Sequence, residues 1–87
     1  MDTNFVKFRY YLYMEKEYIL SIISSNIRAE RARKKLSQEQ LAEASGITTK
    51  YLNMIENAKA NPSIFVVINI CLALKVKLNQ ILPDDII

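Results

Sequence analysis

The chain has 87 residues, which is enough for one small domain and too few for two. Its one glycine and two prolines disfavour a turn-rich all-β fold, and with no histidine and a single cysteine we expect neither an internal disulfide nor a zinc site, and predict no metal and no cofactor. The net charge of +3 is mild, so the distribution of the charges is more informative than their sum.

The first fourteen residues are predicted to form an aromatic arm, ahead of a domain at residues 15–82 and a polar tail at residues 83–87. Apolar residues recur in the arm with a period of two, at Val6, Phe8, Tyr10 and Leu12. This pattern predicts a short strand, which would need the same strand of another subunit as its partner. The alternatives are an early start of the following helix and a disordered extension ahead of a start at Met14.

From about residue 15 the apolar spacing becomes helical. One face carries Ile19, Ile22, Ile23, Ile27 and Arg31, which predicts a helix over about residues 15–34. Five of the eight residues at 28–35 are basic. A run of this kind fits a surface that faces phosphates. It fits equally well the solvated end of a helix, where positive charge meets the negative pole of the helix dipole.

Two short capped helices are predicted within residues 38–57. Ser37 and Gln40 have the spacing of a capping box, and Thr48 can cap the second helix. Between the two helices, Gly46 supplies the positive φ that a tight turn needs. The residues predicted to pack the helices together are Ala42, Ile47, Leu52 and Ile55. The combination indicates a helix-turn-helix unit, and the alternative is an ordinary corner between two helices of a bundle.

A fourth helix is predicted to start after the Asn61-Pro62-Ser63 break and to end near Leu74, and a short fifth helix is predicted at residues 78–82. The face of the fourth helix that is assigned to the core carries Ile64, Val67, Ile68, Ile70, Cys71 and Leu74. The opposite face carries Phe65, Val66 and Leu72, with only Asn69 polar. Because an exposed apolar patch usually marks an interaction site, we expect this second face to contact another protein surface.

The segment LSQEQLAEASGITTKYLNMIENAKANPS closely resembles the Cro/CI-type helix-turn-helix family, also called XRE-like, of phage repressors and bacterial regulators. The resemblance covers about residues 23–82. It implies an all-α fold, a compact five-helix lambda-repressor-like DNA-binding domain, to which this chain adds an N-terminal extension (a possible short strand and then a lengthened first helix). It also implies sequence-specific binding of double-stranded DNA by a transcriptional regulator, in particular a repressor.

In such proteins the second motif helix, here residues 48–57, enters the major groove with its N-terminal part leading. By residue match, the resemblance assigns base contacts to Thr49, Lys50, Asn53 and Met54. A lysine suits guanine and an asparagine suits adenine. The resemblance assigns contacts with the DNA backbone to Gln38, Thr48, Lys59 and Asn61. The alternative for Lys50 and Asn53 is a plain solvated helix face.

Arg31 and Glu56 match a pair that forms a buried ion pair in parts of the family, and this structural pair would tie the first helix to the end of the second motif helix. The alternative is that Arg31 joins the basic run that faces phosphates. Lys35 and Ala58 depart from the family, because glycine is common at both positions and a positive φ is often needed there. We therefore expect these two loops to be strained or differently shaped.

The predicted partners are double-stranded DNA and a second copy of the chain. A two-fold dimer is the commonest assembly, and it would read a pseudo-palindromic operator. The residues predicted to make the dimer or arm contact are Phe65, Val66, Asn69, Leu72, Phe8 and Tyr10. The alternative function is an antitoxin-like module that binds a different protein through the same apolar face.

Other classes of function are disfavoured. The sequence has no Gly-rich phosphate loop and no nucleophile set beside a base, so we predict neither an enzyme nor a small-molecule site. The longest apolar run, at residues 64–74, has eleven residues, whereas a membrane span needs about 20. We therefore expect no membrane contact and a cytoplasmic, DNA-associated protein of a bacterium or a phage.

Overall fold

The computed structural model describes residues 3–82, with the side chains of Val6 and of residues 15–82. Four α-helices follow one another, α1 (Thr3–Arg33), α2 (Gln38–Ser45), α3 (Thr49–Glu56) and α4 (Ile64–Leu74), and a 3-10 turn at Leu78–Gln80 comes last. Residues 3–82 contain no strand, which confirms the predicted all-α class. The predicted fifth helix is reduced to the 3-10 turn, because the stretch between Lys77 and Pro83 is too short for more than one turn. The predicted tail at 83–87 lies outside the described residues.

The strand prediction for the N-terminal arm is wrong, because α1 runs without a break from Thr3 to Arg33 and crosses the boundary predicted at residues 14 and 15. A lone strand leaves its backbone N–H and C=O groups without partners. Extending an existing helix instead adds one backbone hydrogen bond for each residue that is fixed. The apolar residues of the arm occur at both parities, for example Val6 and Tyr11, so the pattern also fits a helix that is apolar on several sides.

Helices α2 and α3 have the predicted capping. Ser37 Oγ accepts from the Gln40 amide at 3.0 Å, and Gln40 Oε1 accepts from the Ser37 amide at 2.8 Å. Gly46 ends α2 with φ +72°. The Thr48 hydroxyl then accepts from the Tyr51 amide at 3.0 Å at the start of α3. Because both ends of the turn are capped, the orientation of α3 on α2 is fixed by local sequence as well as by packing.

The core lies between α2 and the helices that cover it. Helix α2 packs against α3 and α4, α3 packs against α1, and α4 packs against the 3-10 turn. The buried apolar residues are Ile23, Ile27, Leu41, Ala42, Leu52, Ile55, Val67, Ile70, Cys71, Leu74 and Ile81. Among the described side chains of α1, Ile23 is the first that is buried, and the C-terminal part of that helix contributes Ile23 and Ile27 to the core. Asn26 donates to the Ile81 carbonyl at 2.9 Å, which ties the C-terminal turn to α1.

Two residues of α4 that were predicted to face the core are exposed. Ile64 is 49% and Ile68 is 38% exposed, whereas Val66, predicted on the opposite face, is half-buried against the core. The two residues are exposed because the buried stripe of α4 faces α2 and the 3-10 turn, and they lie outside it. Val67, Ile70, Cys71 and Leu74 already fill the face that α2 and the 3-10 turn cover, and Ile68 lies on the far side of the helix from Ile70.

No helix among residues 3–82 combines the length and the apolar character that crossing a membrane requires.

Candidate nucleic-acid interface

Helix α3 presents one polar face to solvent and one apolar face to the core. Thr49, Lys50 and Asn53 are exposed, and Met54 is 37% exposed. Leu52 and Ile55 are buried against α1 and α2. The structure thus brings together, on the free side of a single short helix, the four residues that the sequence assigned to base contacts.

Three of the four residues assigned to the DNA backbone, Gln38, Thr48 and Lys59, adjoin this helix. Thr48 and Gln38 stand at the N-terminal ends of α3 and α2, where unpaired backbone amides carry partial positive charge. Lys59 and Asn61 are exposed in the loop after α3. The Lys59 amide donates to the Met54 carbonyl at 2.8 Å, so the backbone at Lys59 is anchored to the end of α3. Ala58 adopts φ +57°, which lets the chain turn back so that the Lys59 amide reaches α3. The family pattern predicts a positive φ at this position.

Arg31 and Glu56 form a bidentate ion pair. Arg31 Nε lies 2.8 Å from Glu56 Oε2, and Arg31 Nη2 lies 3.0 Å from Glu56 Oε1. The Glu56 residue is 1% exposed. Arg31 also donates through Nη1 to the Leu36 carbonyl at 3.0 Å. The guanidinium therefore ties α1 to the end of α3 and to the loop before α2.

Two contacts of Glu56 were missed at the level of sequence. Arg28 Nη1 donates to the Glu56 carbonyl at 2.9 Å, which satisfies a backbone group at the C-terminal end of α3. Gln38 Nε2 donates to Glu56 Oε1 at 3.0 Å. The spacing of Arg28 and Arg31, three residues apart on one helix face, was the available signal for the first contact. For Gln38, the sequence predicted only a contact with a phosphate of the DNA backbone.

The basic run at residues 28–35 divides into two groups. Arg28 and Arg31 bond to Glu56, and Arg33 Nη1 pairs with Glu30 Oε1 at 2.8 Å. Lys34 and Lys35 are exposed, and neither makes a salt bridge within residues 3–82. Arg28 and Arg31 of the run therefore help to hold the fold and its lysines leave positive charge at the surface, while contact of the run with phosphates stays a prediction.

The exposed apolar surface is concentrated on α4. Phe65 is 74% and Leu72 is 71% exposed, and Asn69 between them is exposed as well. Ile68 adds to the same stripe. Phe8 and Tyr10 lie in the N-terminal part of α1, outside the side chains that the structure describes.

Cys71 lies under this stripe in the core, and its burial raises the pKa of the thiol. A raised pKa keeps the sulfur in the unreactive thiol form. The residue therefore acts in packing, as a small apolar side chain does.

Comparison with known proteins agrees with this geometry. A family model described as Helix-turn-helix matches residues 27–81, from the C-terminal end of α1 through the 3-10 turn. The chain belongs to the helix-turn-helix family. This is a family of regulatory proteins that bind double-stranded DNA, and the matched segment of this helix-turn-helix protein starts inside α1, after the N-terminal extension.

Individual relatives of this helix-turn-helix protein include restriction-modification regulators. It is 34% identical over 64 residues to the control protein C.SmaI of Serratia marcescens, covering 74% of this chain and 76% of that one. A structure of the restriction-modification controller protein C.AhdI from Aeromonas hydrophila superposes with a TM-score of 0.69 at 29% identity, covering 71% of this chain and 94% of the other. A hypothetical transcription factor, NHTF from Neisseria, matches with a TM-score of 0.72 at 28% identity, over 77% and 79% of the two chains.

Proposed function

We propose that this protein is a sequence-specific transcriptional regulator that inserts α3 into the major groove of double-stranded DNA. The observation that carries the proposal is the free face of α3. Three exposed side chains that can form hydrogen bonds, Thr49, Lys50 and Asn53, project from a capped helix whose other face is locked in the core. A major groove about 12 Å wide admits one α-helix with its side chains.

The base-reading role follows from the chemistry of these side chains. Lys50 donates only, which suits the O6 and N7 acceptors of guanine. Asn53 both donates and accepts, which suits N7 and N6 of adenine. Thr49 accepts or donates through its hydroxyl, and Met54 offers an apolar contact to a thymine methyl group.

The backbone role falls to the residues around α3. Gln38 and Thr48 stand at helix N-terminal ends, which favour phosphate. Lys59 and Asn61 follow α3 in the chain and are exposed, and their contacts with phosphates would set the position of α3 without selecting bases. In this proposal, residues 15–82 form the DNA-binding unit, residues 83–87 are a polar tail, and the protein acts in the cytoplasm on bacterial or phage DNA.

We further propose a two-fold dimer. The stripe formed by Phe65, Asn69 and Leu72 contains the two most exposed large apolar side chains of the described residues, and Val66 borders it. The same stripe of a second subunit could bury it, because a two-fold interface uses the same patch on both subunits. Phe8 and Tyr10 of the N-terminal extension are assigned to the same contact. Such a dimer would place two copies of α3 about 34 Å apart, one turn of DNA.

The relatives suggest the biological setting. C.SmaI is named as a control protein, and C.AhdI, matched over 94% of its length, is named as a restriction-modification controller protein. We therefore propose that this protein controls transcription in a restriction-modification system, with repression as its main action on its operator.

The test is a selection of bound sequences from a random pool of duplex DNA at a stated salt concentration. The proposal predicts enrichment of a pseudo-palindrome whose half-sites lie one turn apart, and an affinity that falls steeply as salt rises. Absence of enrichment contradicts the function. An enriched single half-site keeps the base reading and contradicts the dimer, and co-purification of a different protein on α4 favours the antitoxin-like alternative.

A further inference from the structure

A line of hydrogen bonds leads from the buried ion pair to the surface of α3. Gln38 Nε2 donates to Glu56 Oε1 at 3.0 Å. Asn53 Nδ2 in turn donates to Gln38 Oε1 at 3.4 Å, a longer contact at the exposed end of the line. One side chain at the start of α2 therefore connects the buried end of α3 with its exposed middle.

The direction of every bond in this line is set by Glu56. A carboxylate only accepts hydrogen bonds, and Glu56 is ionised beside the Arg31 guanidinium that donates two bonds to it. The amide nitrogen of Gln38 must therefore face Glu56, which leaves its oxygen pointing toward Asn53. The nitrogen of Asn53 must then face Gln38. Reversing either amide would set two acceptors or two donors against each other.

We propose that Glu56 and Gln38 are positioning residues that hold the Asn53 amide in one orientation for base reading. The inference rests on the proposed function, since it concerns how the α3 surface selects bases. An exposed asparagine on its own rotates freely and presents donor and acceptor in either order. If the Asn53 amide is already held in one orientation in the free protein, less side-chain entropy is lost when DNA binds.

Asn53 and Gln38 each keep hydrogen-bonding groups that are free to contact DNA. Asn53 keeps its Oδ1 acceptor and one N–H, the pair that N6 and N7 of adenine require. Gln38 keeps one N–H, which can donate to a phosphate oxygen. A single residue thus links the contact with the DNA backbone to the contact with the base, so a shift of the phosphate changes how Asn53 is presented.

The experiment is a double-mutant cycle on DNA binding with Gln38→Met, Asn53→Ala and the double variant. Methionine keeps the length of glutamine and removes both hydrogen bonds, while Arg31 still neutralises Glu56 and preserves the fold. Affinity is measured for the selected operator and for operators carrying each other base at the position where Asn53→Ala relaxes preference. A good bidentate contact corresponds to about 5- to 150-fold discrimination at that position.

Positioning predicts that Gln38→Met reduces this discrimination about 5-fold or more, and causes no further loss of discrimination when Asn53 is already alanine. An equal loss of affinity for all four bases, with discrimination intact, would overturn the proposal and leave Gln38 as a phosphate contact only. Failure of the wild-type protein to prefer any sequence is a different result, which contradicts the proposed function itself.

A measurement without DNA completes the test. The side-chain amide signals of Asn53 in a ¹⁵N–¹H NMR spectrum report on its hydrogen bonding in the free protein. Gln38→Met is expected to shift these signals while the backbone spectrum keeps its folded dispersion. Unchanged Asn53 side-chain signals would show that Gln38 does not orient this amide.

Discussion

Glu56 is the residue at which α1, α2 and α3 meet. Its carboxylate accepts from Arg31 of α1 and Gln38 of α2, and its carbonyl accepts from Arg28. A buried ion pair adds little stability compared with a well-packed apolar pair, but removing one partner leaves an uncompensated charge. The pair therefore makes the position of α3 depend on three side chains at once.

Glu56→Ala is expected to lower the free energy of unfolding by roughly 3–5 kcal/mol, because Arg31 loses its partner in a largely buried position. Chemical denaturation followed by circular dichroism measures the change. Glu43→Ala, at an exposed position of α2, is the matched control and should change stability by no more than about 0.5 kcal/mol. Equal effects of the two substitutions would contradict the structural role of the ion pair.

At the residue scale, the sequence predicted the Arg31–Glu56 pair through a resemblance, and it missed the bonds that Arg28 and Gln38 make. Matching residues to a family shows which positions are close in space. It does not show how a glutamine amide divides its donors and acceptor, because that depends on which side chains surround it after folding. The assignments to DNA contacts stay predictions for the same reason.

At the scale of elements, the capping residues of α2 and α3 made the bounds of these two helices predictable from local sequence. Ser37, Gly46 and Thr48 act through bonds to residues three or four positions away, so the α2–turn–α3 unit was predictable. The N-terminal arm was mispredicted because its apolar and aromatic residues occupy both odd and even positions. An apolar period of two in such a segment fits a helix as well as a strand. The faces of α4 were partly misassigned, because nearly every residue of that helix is apolar and only packing decides which are covered.

Three residues other than glycine adopt positive φ in the described chain, and Ala58 is one of them at +57°. Glycine removes the cost of the left-handed conformation, about 1 kcal/mol for an L-residue. Ala58→Gly is therefore expected to raise the free energy of unfolding by up to about 1 kcal/mol. Ala29→Gly, the same substitution at an exposed position within α1, should lower it by roughly 0.5–1 kcal/mol. The two variants are compared by thermal denaturation, and a loss of stability at both positions would contradict the strain at Ala58.

At the scale of the whole molecule, the bundle and its apolar surface serve separate tasks. Residues 27–81 match the helix-turn-helix family, and the core of this segment holds α3 in place. The stripe on α4 contributes little to that core. The sequence is 51% hydrophobic, more than one small core covers, but composition does not show which apolar residues remain exposed.

Phe65→Ser together with Leu72→Ser is expected to convert the proposed dimer into a folded monomer. Burying each such side chain contributes about 1.5–3 kcal/mol, and a two-fold contact loses four of them, so the dissociation constant of the dimer should rise by roughly 10,000-fold or more. Sedimentation equilibrium measures the assembly, and circular dichroism checks the fold. Ala44→Ser, an exposed position on α2, should leave the mass unchanged. A double variant that keeps the wild-type mass would place the dimer contact elsewhere.

The most direct test of the central claim, that α3 reads bases while its surroundings bind phosphates, compares Lys50→Ala with Lys59→Ala on the selected operator. Binding is measured on the operator and its single-base variants over a range of salt concentrations. Lys50→Ala is expected to relax preference at one base position of each half-site by about 1–3 kcal/mol. Lys59→Ala is expected to weaken binding to all sequences alike and to lower the salt slope by about 1 for each half-site. Unaltered base preference after Lys50→Ala would show that α3 does not read bases through this side chain.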